Sequence, residues 1–589
     1  MKPDSPADSQ PAPPQVASAA VRTWSRRRFI SGLSRLGGIC ALGVLTACGN
    51  QAEAARPATR GAPTLIPTVL PTAAPAGAAR ATPSATPMLG AGMATPTAET
   101  RAPTPRPSGP VRRDLVIMQG ADMTTLDPHL STFATDVSVT FSLFDNLMYR
   151  TEDQSIIRPM LATEWKVRER RWELRLRPNV RFHDGSPLTS ADVKFSIERT
   201  YDTRAGTAVS NVFSTVERIE TPDPLGVVFV TRQPDALLPA RLASYGGQIV
   251  PKAYFERVGA AEFARRPVGS GPYRFVEWLK DDRLLLERFN EYWGGRAAVE
   301  RVIFMPRPEV APRIAALLVG EADLVTGVPA DQIDVVNRSG RAHIDGALYN
   351  GIHVLAVNST VPPLDNPLVK QALSLAIDRE TIIKTVHRGQ GVVPNGLIAQ
   401  GDYGFDATLP PLEYNPGRAR QRLQAGEYRG EPIVLETTQG YLVGDREMAE
   451  LVDEMWRKVG INSHIEFIEI ADRAVKTREK SFKGLFWSDP ASTLLDPDGM
   501  MFRLLGPGGQ QEYWSNPEWQ QLGLEARYSL DQGLRLRSYR RMNEIALEHL
   551  PWIPIVQPRR LYGISNDIEF QPYGNDYLNL RRENLKLRT

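Results

Sequence analysis

The chain has almost no cysteine. Its 589 residues include two, Cys40 and Cys48, and both fall within the first 48 positions. Everything beyond them therefore folds without disulfides and offers no thiol chemistry. Histidine is sparse as well. His129, His183, His343, His353, His387, His464 and His549 are scattered, with no His-x-x-x-His pair, so zinc hydrolysis has no support. A Gly-x-Ser-x-Gly elbow is absent too. The net charge of +3 is close to neutral for this length and gives no argument for nucleic acid as a partner. No apolar run reaches the ~18–20 residues that a membrane-spanning helix needs.

What is present starts with a leader. Ser25-Arg26-Arg27-Arg28-Phe29-Ile30 is similar to a twin-arginine export motif, and a weakly apolar, Gly/Leu-rich stretch follows it. Leu45-Thr46-Ala47-Cys48 has the form of a lipobox, so residues 1–48 are expected to act as an export signal with Cys48 as the lipid attachment site. Residues 49–111 are rich in Ala, Pro and Thr and contain no aromatic residue. Such a segment cannot bury enough apolar surface to offset its ordering entropy, and it reads as a disordered tether reaching on the order of 45 Å.

The remaining length exceeds what one core sustains and predicts two or more lobes. From Trp172 to Arg177 apolar and charged residues alternate, which predicts a half-buried strand with Trp172, Leu174 and Leu176 on its inner face. Pro178-Asn179 reads as a turn, Val180-Arg181-Phe182 as a pairing strand, and Asp184-Gly185 as a second turn. Thr189, with Asp192 three places on, is the expected N-cap of a helix carrying Val193 and Ile197. An apolar stripe of Phe141, Phe144, Leu147 and Met148 predicts a core-facing helix over residues 137–148. Asn366-Pro367, Asp378, Asn516-Pro517 and Asp531 are helix starts by the same reasoning. The arginines and lysine of the last residues, Arg581, Arg582, Lys586 and Arg588, read as a solvated tail.

The order of these residues carries a resemblance. Pro159…Leu161-Ala162…Trp165, Leu176-Arg177-Pro178-Asn179-Val180…Phe182-His183-Asp184-Gly185 and Thr189…Asp192-Val193…Ser196-Ile197-Glu198-Arg199 closely resemble the signature of the peptide- and nickel-type solute-binding proteins of bacterial ABC importers. Gly269-Ser270-Gly271-Pro272-Tyr273, Gly320-Glu321-Ala322-Asp323 and Asn366-Pro367-Leu368-Val369-Lys370 continue it in order.

The resemblance implies an α/β, two-lobed periplasmic-binding-protein-like fold with a hinge. The first lobe would comprise residues 112–156, 268–352 and 557–589, with an extra subdomain at 157–267, and the second lobe residues 353–556. Chain crossings are expected near residues 350–358 and 555–560. It also implies an extracytoplasmic, lipid-anchored monomer that is not an enzyme and needs no cofactor or resident metal. Its partners would be a small solute, above all a short peptide, the permease subunits of an importer, and membrane lipid through Cys48. An exported enzyme or a chemosensory receptor on the same scaffold is the alternative, as is a nickel chelate, opine, haem or sugar as ligand.

For the site, the resemblance points to the loop after the first strand, Gln119, Gly120, Ala121 and Asp122, although Gly120 also suits a plain tight turn. It points further to Trp487 followed by an aspartate whose carboxylate would bind a peptide's ammonium group. Asp489 and Asp496 are the two candidates, because Asp489 follows Trp487 by two positions and an insertion separates it from Asp496-Pro497-Asp498. Acidic residues beside proline are equally ordinary turn formers.

Overall fold

The computed structural model describes residues 114–151, 157–575 and 577–588. Arg26, Arg27, Cys48 and the tether lie outside the described residues.

The strand Arg171–Leu176 buries Trp172, Leu174 and Leu176 and exposes Glu173 and Arg175, as its alternation requires. Its partners differ from expectation. Residues 180–182 form no ladder, since Arg181 makes only a lone bridge to Pro187. The strand instead sits between Ala162–Arg168 and Gly226–Thr231, antiparallel to both. Asn179 adopts a left-handed φ of 61°, which turns the chain out of the sheet. The Arg177 N–H meanwhile donates 2.7 Å to the Leu161 carbonyl and ends the ladder. A third antiparallel pairing adds Val216–Asp223 and completes a four-stranded sheet.

Helix Ser190–Tyr201 packs on this sheet. The Asp192 carboxylate accepts from the Thr189 N–H at 2.8 Å and from its hydroxyl at 2.9 Å. At the far end Arg199 forms a buried ion pair with Asp127, which pins the loop that follows the first strand, Asp114–Gln119. Asn366 and Asp378 accept from Leu368 N–H and Thr381 N–H as N-caps, and Asn516 and Asp531 do the same for Pro517–Arg527 and Gln532–His549.

Apolar residues collect in separate cores. Two clusters draw their buried members from residues 352–556, one around Trp456 and Trp487 and one around Trp519 and Trp552. Three others draw theirs from residues 115–342 and 561–585, among them the cluster under the four-stranded sheet. The molecule is accordingly two-lobed and mixed α/β.

A twelve-stranded sheet runs through both lobes. Its long strand Trp552–Ser565 joins them: residues 552–556 pair with His353–Val357, and residues 559–565 pair with Ala342–Leu348. Parallel strands Asp114–Gln119 and Leu324–Val325 flank it on the first lobe's side. Among the described residues no helix is long and apolar enough to cross a membrane.

Candidate ligand-binding cleft

The first wall of the cleft is built where helix Ala134–Leu143 ends. The Phe141–Met148 stripe does not continue as helix, because Phe144 is extended and strand Met148–Arg150 begins soon after. The glycines of Gly269-Ser270-Gly271 press on this terminus. A Cβ at Gly269 would stand 2.0 Å from the Leu143 carbonyl oxygen, and one at Gly271 would stand 2.5 Å from that of Ser142. Only glycine allows that approach, and the Gly271 N–H uses it to donate 2.9 Å to Leu143 O. His183 clamps the same run from outside, accepting from Gly269 N–H at Nδ1 and donating from Nε2 to Gly271 O, both at 3.1 Å. Burial lowers its pKa to about 4, so the ring is neutral and its role is structural.

Asp145 anchors the next layer. Its carboxylate accepts from Arg581 at 2.8 Å, Trp293 Nε1 at 2.7 Å and the Tyr292 hydroxyl at 3.1 Å. Arg581 is therefore no part of a solvated tail. It is buried and brings residues 573–575 and 577–581 against the end of the first helix, also donating 3.1 Å to Phe144 O. Burial raises the Asp145 pKa, and the Arg581 charge opposes that shift.

Between these segments lies a narrow crevice of about 60 Å³, lined by Phe141, Asn146, Tyr149, Ser244, Tyr577 and Asn579 among others. One second-lobe residue, Thr493, closes it. Ser244 and Thr493 also line a wider groove of about 690 Å³, which runs between residues 208–245 and residues 493–528. Crevice and groove adjoin at Ser244 and Thr493 and together make up the candidate cleft. Its lining mixes amide and hydroxyl groups with aromatic rings, and Tyr577 stacks on Phe141 at 5.6 Å between centroids. Such a surface can bond peptide-like amides and pack against side chains without committing to one sequence.

The loop after strand Leu485–Ser488 delivers Thr493. Arg150 of the first lobe donates to the Leu494 carbonyl in the same loop. Burial lowers the Arg150 pKa to about 10, with Asp402 and Asp496 of the second lobe pulling it back up.

None of the seven residues singled out from the sequence lines this cleft. Gln119 is buried and donates to Ala121 O and Met123 Sδ. Gly120 and Ala121 are exposed, and the Asp122 carboxylate is taken by Trp278 Nε1 at 3.2 Å and Asp281 N–H at 2.7 Å. Trp487 is sealed in the second-lobe core.

Asp489 accepts from the Tyr441 hydroxyl, over whose ring the Arg473 guanidinium sits at 3.7 Å. Burial raises its pKa, which Tyr441, Arg560 and Arg473 oppose. Asp496 is buried against Arg535 at 2.8 Å and the Tyr539 hydroxyl at 2.8 Å. The insertion between the two aspartates thus carries Thr493, and not a carboxylate, into the crevice. Nothing local in the sequence marks Thr493, Phe141, residues 573–575 or residues 577–579 as lining, apart from the insertion that carries the first.

Residues 157–512 match the family of bacterial extracellular solute-binding proteins, family 5 (middle). The chain belongs to that family. It is 25% identical to the glutathione-binding protein GsiB of Pectobacterium atrosepticum over 475 residues, covering 77% of this chain and 91% of that protein. The structure of HbpA2 from Haemophilus parasuis superposes with a TM-score of 0.73 at 23% identity, covering 81% of this chain and all of that one (100%). The ABC transporter-associated periplasmic binding protein DppA from Helicobacter pylori, in complex with the peptide STSA, gives 0.68 at 23% identity, covering 81% and 98%. This family member is a solute-binding protein with the two-lobed fold of its structural neighbours.

Proposed function

We propose that this solute-binding protein closes its lobes on a short peptide held in the crevice and groove, and presents it to the permease of an ABC importer. The observation that carries the reading is the loop of residues 489–498, which reaches from the second lobe and sets Thr493 against Asn146, Ser244 and Asn579 of the first. The crevice, at about 60 Å³, holds only a few waters, so filling it with part of a solute requires the lobes to separate. The two chain crossings, at residues 348–353 and 556–559, serve as the hinge. The peptide-bound DppA and the glutathione-binding GsiB among the relatives support a peptide-like solute. The protein acts as a non-catalytic monomer, held outside the cytoplasm by lipid on Cys48 after export directed by Arg26 and Arg27.

The test is intrinsic tryptophan fluorescence of the full chain on adding alanine-containing di- and tripeptides, followed by mass spectrometry of the recovered ligand. A receptor gives saturable binding and returns the peptide unchanged. Absence of binding by every peptide, or recovery of a cleaved product, contradicts the reading.

A further inference from the structure

The groove is lined by four arginines, Arg232, Arg241, Arg503 and Arg527, against a single carboxylate, Asp498. Asp498 is already engaged, with Arg527 Nε at 2.6 Å and Arg241 Nη2 at 3.8 Å. Arg241 has a second acidic partner behind it in Asp235, at 3.4 Å. Among the described residues, Arg232 and Arg503 have no carboxylate within ion-pair distance. Arg503 donates from Nε to the Gly499 carbonyl at 2.7 Å, which fixes the side chain at the groove wall. Arg503 stands exposed at the groove surface. A cation held in place and short of a counter-ion makes its strongest bonds to an anion that arrives with the ligand.

Resting on the peptide reading, we infer that the solute carries an acidic group besides the α-carboxylate of any free peptide, and that Arg503 with Arg232 receives it in the groove while the rest of the solute lies toward Thr493. The cleft is therefore selective for acidic solutes. The one carboxylate of the groove, Asp498, is already paired with Arg527 and Arg241, which fits the same polarity.

Isothermal titration of ligand-stripped full-length protein tests this. The probes are Ala-Ala-Glu, Ala-Glu-Ala and Glu-Ala-Ala, each beside its glutamine counterpart, with succinate and succinamide as a pair lacking any peptide bond. At least one glutamate peptide should bind about ten- to a hundredfold tighter than its glutamine counterpart. Arg503→Gln should remove most of that difference, with Arg232→Gln removing a smaller share. Both side chains are exposed, so both variants keep the fold.

Equal binding of acidic and amide peptides, or a preference that survives both substitutions, overturns the inference and leaves the peptide reading standing. If no peptide binds but succinate binds and depends on Arg503, the peptide reading falls and the acidic-solute inference stands. If neither peptides nor succinate bind, both are wrong.

Discussion

The Arg150 guanidinium donates to the backbone carbonyl of Leu494, 344 residues away along the chain, and so ties the two lobes together beside the crevice. The same guanidinium faces the carboxylates of Asp402 and Asp496. A first-lobe cation is therefore in direct contact with the second lobe beside the crevice.

Arg150→Met keeps the aliphatic stem and removes the charge. Titration calorimetry should show weaker binding by about ten- to a hundredfold, since a hydrogen bond from a charged group is worth about 1.5–3 kcal/mol. The loss should appear in the dissociation rate, measured by stopped flow, because the contact forms only as the lobes close. Unchanged affinity and off-rate would mean that the contact is incidental to closure.

Asp402 makes the stability of the protein depend on pH. Burial pushes its pKa up to about 8; the Asp496 charge adds to the rise, while the Ser492 hydroxyl and Arg150 oppose it. The unfolded chain releases this proton near the ordinary value of 3.8, whereas the folded state holds it to about 8. Within that window the folded state binds more protons, so this group's contribution to stability falls as pH rises, by at most about 1.4 kcal/mol per unit. Asp402→Asn should flatten the decline in urea midpoint between pH 5 and 8. A variant with the same slope as the parent would assign the pH dependence elsewhere.

Asp496 should behave as a structural residue. Asp496→Ala leaves Arg535 buried without its partner, which typically costs about 3–5 kcal/mol of stability. The denaturant midpoint should drop sharply, and material still folded should bind its solute with near-parent affinity. A selective loss of binding with normal stability would return Asp496 to the ligand site.

Anchoring and export are tested in cells. Cys48→Ala should abolish fatty-acid labelling and release the protein from membranes. Joint replacement of Arg26 and Arg27 by lysine should leave the precursor in the cytoplasm. Normal labelling in the first case, or normal secretion in the second, contradicts the corresponding role.

Local chemistry was readable in the sequence and long-range chemistry was not. The N-caps at Thr189, Asn366, Asp378, Asn516 and Asp531 need only residues two or three positions away, and the structure has helices starting at each. The inward face of Arg171–Leu176 follows from alternation alone, but its sheet neighbours depend on Gly226–Thr231, some 50 residues on, which no local pattern announces. Arg581 looked like a tail residue because its partner, Asp145, lies 436 positions away. The role of the carboxylates at 489 and 496 as ligand anchors is implied by the resemblance alone. Their actual partners, Tyr441 and Arg535, are again distant in sequence and were invisible there.

A crystal structure of the protein with the solute it carries tests the central claim most directly. The account predicts electron density enclosed between Asn146, Ser244 and Thr493, extending into the groove toward Arg503. Density held instead against Asp489 and Tyr441, with the crevice left to water, would contradict it.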